Sequence, residues 1–86
     1  MKELEKTLKA FANKRRLEMV KYIKRKHEAP VGDIAKEIKL SFKSTSKHLS
    51  ILLSADILER EQRSLQMFYR LNLTQKAVAK QIISFL

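Results

Sequence analysis

Lys43, Ser46, Lys47 and Ser50 stand at i, i+3, i+4 and i+7 within LSFKSTSKHLSILL, residues 40–53. In a helix that spacing gathers them on one stripe. Serine hydroxyls and lysine ammoniums make a poor core, but they reach phosphates and base edges without filling a groove with bulk. Thr45, Leu49 and Leu52, at spacings of four and seven, form a second and mostly apolar stripe. Ser41 supplies an N-cap. The pattern predicts a helix from Phe42 to Leu53 that docks by one face and reads DNA with the other, although an ordinary solvated face has a similar composition.

The remaining chemistry-bearing residues are sparse. There is no cysteine, which excludes disulfides, thiol chemistry and thiolate metal sites. His27 and His48 are the only imidazoles, and neither stands in a cluster with the spacing of a metal site or a catalytic dyad. No catalytic residue, cofactor or metal is expected, and the chain is not read as an enzyme. Nineteen Lys and Arg against nine Asp and Glu give a formal net charge of +10. That bias suits a polyanion; an anionic membrane surface or an acidic protein partner would suit it too.

The 86 residues suffice for one domain, residues 1–86, and a modest core. MKELEKTLKAFANKRR has no uninterrupted apolar run of the secretory kind, and no stretch is long and apolar enough to span a bilayer. A cytoplasmic, nucleoid-associated location is the resulting expectation.

The elements that must position the Lys and Ser stripe follow from periodicity. Leu4, Leu8 and Phe11 predict a first amphipathic helix over residues 2–12, whose apolar stripe docks either on this chain or on a second copy. Asn13 caps a second helix with Leu17, Val20 and Ile23 inward. Lys24, Arg25 and Lys26 fall in its last turns, where they complement the helix dipole, with a contact to DNA phosphates as the secondary reading. Pro30 opens a third helix with Val31, Ile34, Ala35 and Ile38 on one side. A connection of Lys39, Leu40 and Ser41 then leads into the helix already described, which is the sequence form of a helix-turn-helix.

After Ile57 the period becomes two. In ILEREQRSLQMFYRL, Met67, Tyr69 and Leu71 alternate with Gln66, Phe68 and Arg70, and a turn falls near Arg63, Ser64 and Leu65. A hairpin after a helix-turn-helix is a wing, with Arg60 and Arg63 near its tip; both also have Glu59 and Glu61 as available partners. The tail LTQKAVAKQIISFL reads as a helix after a Thr74 cap, with Val78, Ile82 and Phe85 in one stripe. The stripe suits a homodimer seam shared with the first helix, or a fourth core helix.

From Leu8 to Leu71 the chain resembles the ArsR-type winged-helix transcriptional regulators. LKAFANKRRLEMV places Arg16 and Leu17 at the family's arginine-leucine pair. VGDIAKEIKLSFKSTSKHLSIL places Ser46, His48 and Leu49 at its serine-x-histidine-leucine positions, and Tyr69 stands at its wing tyrosine. The resemblance implies an α+β winged helix-turn-helix with N-terminal and C-terminal dimerisation helices. It implies a homodimeric repressor of transcription on double-stranded DNA, with no membrane partner. Leu4, Leu8, Phe11, Val78, Ile82 and Phe85 are the expected dimer contacts. Lys43, Ser46 and Lys47 are expected at base edges or adjacent phosphates, and Arg16, His48, Arg60 and Arg63 at phosphates or in the wing. A winged-helix module that docks on an acidic protein is the alternative.

Many family members release DNA on binding metal, through a cysteine pair on the third helix or through Asp, His and Glu on the last. Here those places hold APVGDIA and TQKAVAKQIISFL, so no metal switch is expected. Asp56 and Ser64 stand where the family commonly has glycine, after the recognition helix and at the wing turn. Aspartate tolerates a left-handed backbone better than serine does, so an altered wing turn is expected.

Overall fold

Among the described residues, the apolar side chains of five helices and a short sheet converge on the second helix. The computed structural model describes residues 1–72, 74 and 76–86. Its elements run α1 (Lys2–Phe11), α2 (Lys14–Lys26), β1 (Ala29–Pro30), α3 (Val31–Ile38), α4 (Phe42–Ser54), β2 (Leu58–Arg63), β3 (Gln66–Leu71) and α5 (Ala77–Ser84). This is an α+β winged helix-turn-helix. Met19, Val20 and Ile23 of α2 are completely enclosed, and around them pack Phe11, Ile34, Ile38, Leu49, Leu52, Ile57, Leu58, Tyr69 and Ile83.

Three cations of α2 also tie the other helices to it. Arg16 donates from Nε to the Ala10 carbonyl at 2.6 Å and from Nη2 to the Lys9 carbonyl at 3.1 Å, in the last turn of α1. Arg15 donates to the Ile38 carbonyl at the end of α3, at 2.9 Å. Lys24 donates to the Ile83 carbonyl near the end of α5, at 3.0 Å. The last carbonyls of a helix have no partner within it and carry the negative end of its dipole, so a cation from a neighbouring helix satisfies both needs. Much of the positive charge on α2 therefore has a structural use.

Local signals set the helix ends. Asn13 Oδ1 accepts from the Arg16 amide and Ser41 Oγ from the Ser44 amide, starting α2 and α4. Lys39 ends α3 in the left-handed region at φ 62°, and the Leu40 amide donates back to Ala35. Asp56 ends α4 in the same way at φ 59°, with the Ile57 amide donating to the Leu52 carbonyl and Asp56 to Leu53. Ile57 and Leu52 are both fully buried, the apolar contact that accompanies this kind of helix end.

The sheet order is β1-β3-β2, all antiparallel. β1 pairs Ala29 with Tyr69 and Pro30 with Phe68, and Pro30 is at once an edge-strand residue and the N-cap position of α3. This two-residue strand was not expected from sequence, because it is too short to show any period. In the hairpin Arg63 pairs with Gln66, leaving Ser64 and Leu65 as a two-residue loop. Ser64 adopts φ 57°, in the left-handed region that usually selects glycine or asparagine.

One expectation is corrected here. α5 starts at Ala77 with Lys76 in the cap position, whereas the amide and hydroxyl of Thr74 both donate to Asn72 Oδ1. The tail segment LTQKAVAKQIISFL also includes residues 73 and 75, which lie outside the described residues.

Candidate nucleic-acid interface

α4 divides as its periodicity indicates. Thr45, Leu49 and Leu52 are fully buried, Lys43, Lys47 and Ser50 are exposed, and Ser46 is half-buried beside them. Burial of one stripe fixes the rotation of the helix, and the small-and-basic stripe faces solvent as a consequence. α3 packs against α4 as the first helix of the pair.

Arg16 and His48 belong to the support of this helix. His48 is half-buried on α4, and Arg16 Nη1 lies 3.1 Å from its Nδ1. An Arg donor at that distance requires an unprotonated Nδ1, and the surroundings favour the neutral ring that can supply it. Burial, followed by the charges of Arg16, Arg15 and Lys47, holds the His48 pKa below its ordinary 6.5. With two α1 carbonyls and His48 as acceptors, the Arg16 guanidinium links α1, α2 and α4.

The wing separates the two arginines assigned to it. Successive strand residues face opposite sides, so Arg60 shares a face with Leu58 and Gln62, while Arg63 shares the other with Glu59 and Glu61. On that second face Arg63 donates to both Glu28 oxygens at 2.6 and 2.8 Å and to Glu61 at 3.1 Å. It also lies 4.6 Å from the centroid of the Phe68 ring. Arg70 pairs with Glu61 at 2.8 Å and Glu59 at 3.6 Å. Hydrogen bonds from Arg63 pull the Glu28 carboxyl below the carboxylate range, and those from Arg70 and Arg63 do the same for Glu61. Arg60 is exposed and makes no ion pair among the described residues.

The six apolar residues assigned to a dimer seam also divide. Leu4, Leu8, Val78 and Phe85 are exposed, Phe85 at 81%. Ile82 is half-buried against the core, and Phe11 is only 4% exposed and belongs to the core itself. Phe11 therefore does not lie on the apolar surface of this chain, since the turn into α2 folds it under α1. α1 and α5 are in contact, which brings the exposed leucines and valine to neighbouring helices.

Three features escaped the sequence reading. Phe42, the first residue of α4, is 63% exposed. Leu65 at the wing tip is 97% exposed. A cleft of about 560 Å³ between α1 and α4 is lined by Lys2, Lys6 and Lys9 on one side and Ser50, Ile51 and Ser54 on the other. The lysine spacing on α1 was visible as i, i+4 and i+7; its nearness to α4 required the fold. Among the described residues, no group of three or more His, Cys, Asp or Glu side chains stands together as a metal site would require. Among the described residues, no helix is long and apolar enough to cross a membrane.

Known proteins place this architecture in a class. The bacterial regulatory protein, arsR family model matches residues 13–60, more than half of the chain, from the α2 cap through the helix-turn-helix into the wing. The chain belongs to that family, which comprises DNA-binding transcriptional regulators and not enzymes. Among solved structures it is similar to HlyU from Vibrio cholerae N16961, at 26% identity and a TM-score of 0.83, over 96% of this chain and 86% of that one. It is also similar to the transcriptional repressor BigR from Xylella fastidiosa, at 28% identity and a TM-score of 0.79, over 99% and 83%. The homodimeric winged helix-turn-helix DNA-binding domain of Mb0332 from Mycobacterium bovis shares the fold, with 24% identity and a TM-score of 0.84 over 98% and 75%. No curated protein matches the sequence.

Proposed function

We propose that this chain is a single-domain, homodimeric repressor that binds double-stranded DNA sequence-selectively and works without a metal switch. The observation that carries the reading is the division of α4, with Thr45, Leu49 and Leu52 enclosed and Lys43, Lys47 and Ser50 presented to solvent around half-buried Ser46. In such a dimer two α4 helices enter successive major grooves about 34 Å apart. Lys43, Ser46 and Lys47 contact base edges and neighbouring phosphates. Arg60 contacts backbone phosphate from the wing, while Arg63 keeps the wing in shape through Glu28 and Glu61. Arg16 and His48 hold α4 at its working angle, with the spare guanidinium hydrogens of Arg16 available to a phosphate.

Leu4, Leu8, Val78 and Phe85 form the seam between protomers, with Ile82 beneath it. A homodimeric neighbour of the same fold and a repressor among the similar structures support this arrangement. The chain has no thiols, and among the described residues no carboxylate-imidazole cluster offers the donors that a structural or regulatory metal of the usual kind requires. Selection of duplexes from a random-sequence pool by the purified chain tests the reading. Enrichment of an inverted repeat with half-sites one helical turn apart is the expected result. Retention of the pool without enrichment reduces the interaction to charge attraction and overturns it.

A further inference from the structure

Phe42 is out of place for a residue whose only task is folding. It is 63% exposed and joins neither the core nor the half-buried residues packed against it. The residues beside it explain nothing about an aromatic there: Ser41 makes the helix cap by itself, donating no task to its neighbour, and Thr45, Leu49 and Leu52 complete the buried stripe without Phe42. On the helix Phe42 stands one turn before Ser46 and directly precedes Lys43, so it flanks the small-and-basic stripe at its N-terminal end. That end of a helix-turn-helix reading helix is the part that meets base edges.

The chemistry available in the groove is specific. The guanine, adenine and cytosine edges offer hydrogen-bond donors and acceptors but no methyl group, and an exposed phenyl ring cannot satisfy those polar groups. Thymine alone presents a methyl group, and a phenyl ring is among the side chains that recognise it by apolar contact. We propose that Phe42 is a specificity-determining residue that selects thymine at one position of each half-site by packing on its 5-methyl group. The inference rests on the DNA-reading role proposed for α4 and adds to it a base preference that the lysines and serine do not supply.

Deoxyuridine provides the test, because it differs from thymidine only by lacking that methyl group. A duplex enriched from the random pool is remade with each thymidine replaced in turn by deoxyuridine, and affinity is measured by fluorescence anisotropy for the native chain and for Phe42→Ala. At one thymine per half-site the native chain is expected to lose about fourfold, the factor carried by burial of one methyl-sized group. Phe42→Ala is expected to bind the two forms of that duplex equally. The native loss should persist across salt concentrations, since no phosphate charge is involved. An enriched duplex on which no single thymidine replacement weakens the native chain overturns the inference and leaves the DNA-reading role standing. The same holds if Phe42→Ala loses as much as the native chain at the sensitive position. A pool that yields no enriched sequence overturns both.

Discussion

Arg16 and His48, 32 residues apart in the sequence, meet across the packing of α2 on α4, with Arg16 Nη1 3.1 Å from His48 Nδ1. Because Arg16 also holds the Lys9 and Ala10 carbonyls, one guanidinium sets the position of α4 relative to α1. The family's arginine and histidine motif positions thus form part of the frame behind α4.

A pH dependence of stability follows from that contact. Burial first, and then neighbouring positive charge, lowers the folded-state pKa of His48 from its ordinary 6.5. The unfolded chain therefore binds the proton more tightly than the folded one. The stabilisation is complete above about pH 6.5 and is lost as pH falls from there through the lower folded-state pKa. Urea unfolding midpoints measured across this range should fall on acidification, and His48→Gln should remove that part of the fall. Equal acid sensitivity of the two proteins would show that His48 is not the group responsible. Arg16→Ala should cost about 2 kcal/mol at neutral pH, in line with the loss of charged hydrogen bonds to partly buried acceptors.

Ser64 bears the left-handed turn at the wing tip at φ 57°. A side chain in that region costs roughly 1–2 kcal/mol relative to glycine, partly offset by the greater freedom of glycine in the unfolded chain. Ser64→Gly should therefore raise stability by about 1 kcal/mol in denaturant titrations while leaving the hairpin register intact. A loss of stability would mean that the serine makes a compensating contribution of its own.

How legible these features were depended on whether a local pattern carried them. The α4 stripe was readable because helical period separates Thr45, Leu49 and Leu52 from Lys43, Lys47 and Ser50 without any knowledge of neighbours. Thr45 packs in the buried stripe as its spacing indicates, and its buried hydroxyl has no hydrogen-bond partner among the described residues. β1 was invisible because two residues show no period, and its pairing partner lies 40 positions further on, Ala29 with Tyr69. The use of Arg15, Arg16 and Lys24 as caps for other helices was equally hidden, since charge composition looks the same whether a cation meets a carbonyl of its own chain or a phosphate. Arg63 shows the same ambiguity: Glu61 was a visible neighbour, but Glu28 reaches it only through the fold.

Association through the chain ends is open to direct measurement. Leu8 and Val78 are exposed on contacting helices and sit outside the enclosed core, so charging them should spare the fold and remove the seam. Sedimentation at micromolar concentration should give a dimer for the native chain and a folded monomer for the Leu8→Asp, Val78→Asp double variant. A native monomer that retains selective binding to an inverted repeat would contradict the proposed assembly.

The most direct measurement is the affinity of the native chain, Lys47→Ala, Arg60→Ala and Arg63→Ala for an enriched duplex and its scrambled counterpart at several salt concentrations. If α4 reads bases, Lys47→Ala should shrink the preference for the enriched duplex by about 1–3 kcal/mol. Arg60→Ala should weaken both duplexes alike and reduce the slope of log affinity against log salt by roughly 1, as loss of one phosphate contact does. Arg63→Ala should change the slope less, because its charge is already engaged by Glu28 and Glu61. Selectivity unchanged in Lys47→Ala, with no change of slope in any variant, would contradict the assignment of α4 and the wing as the DNA-binding surface.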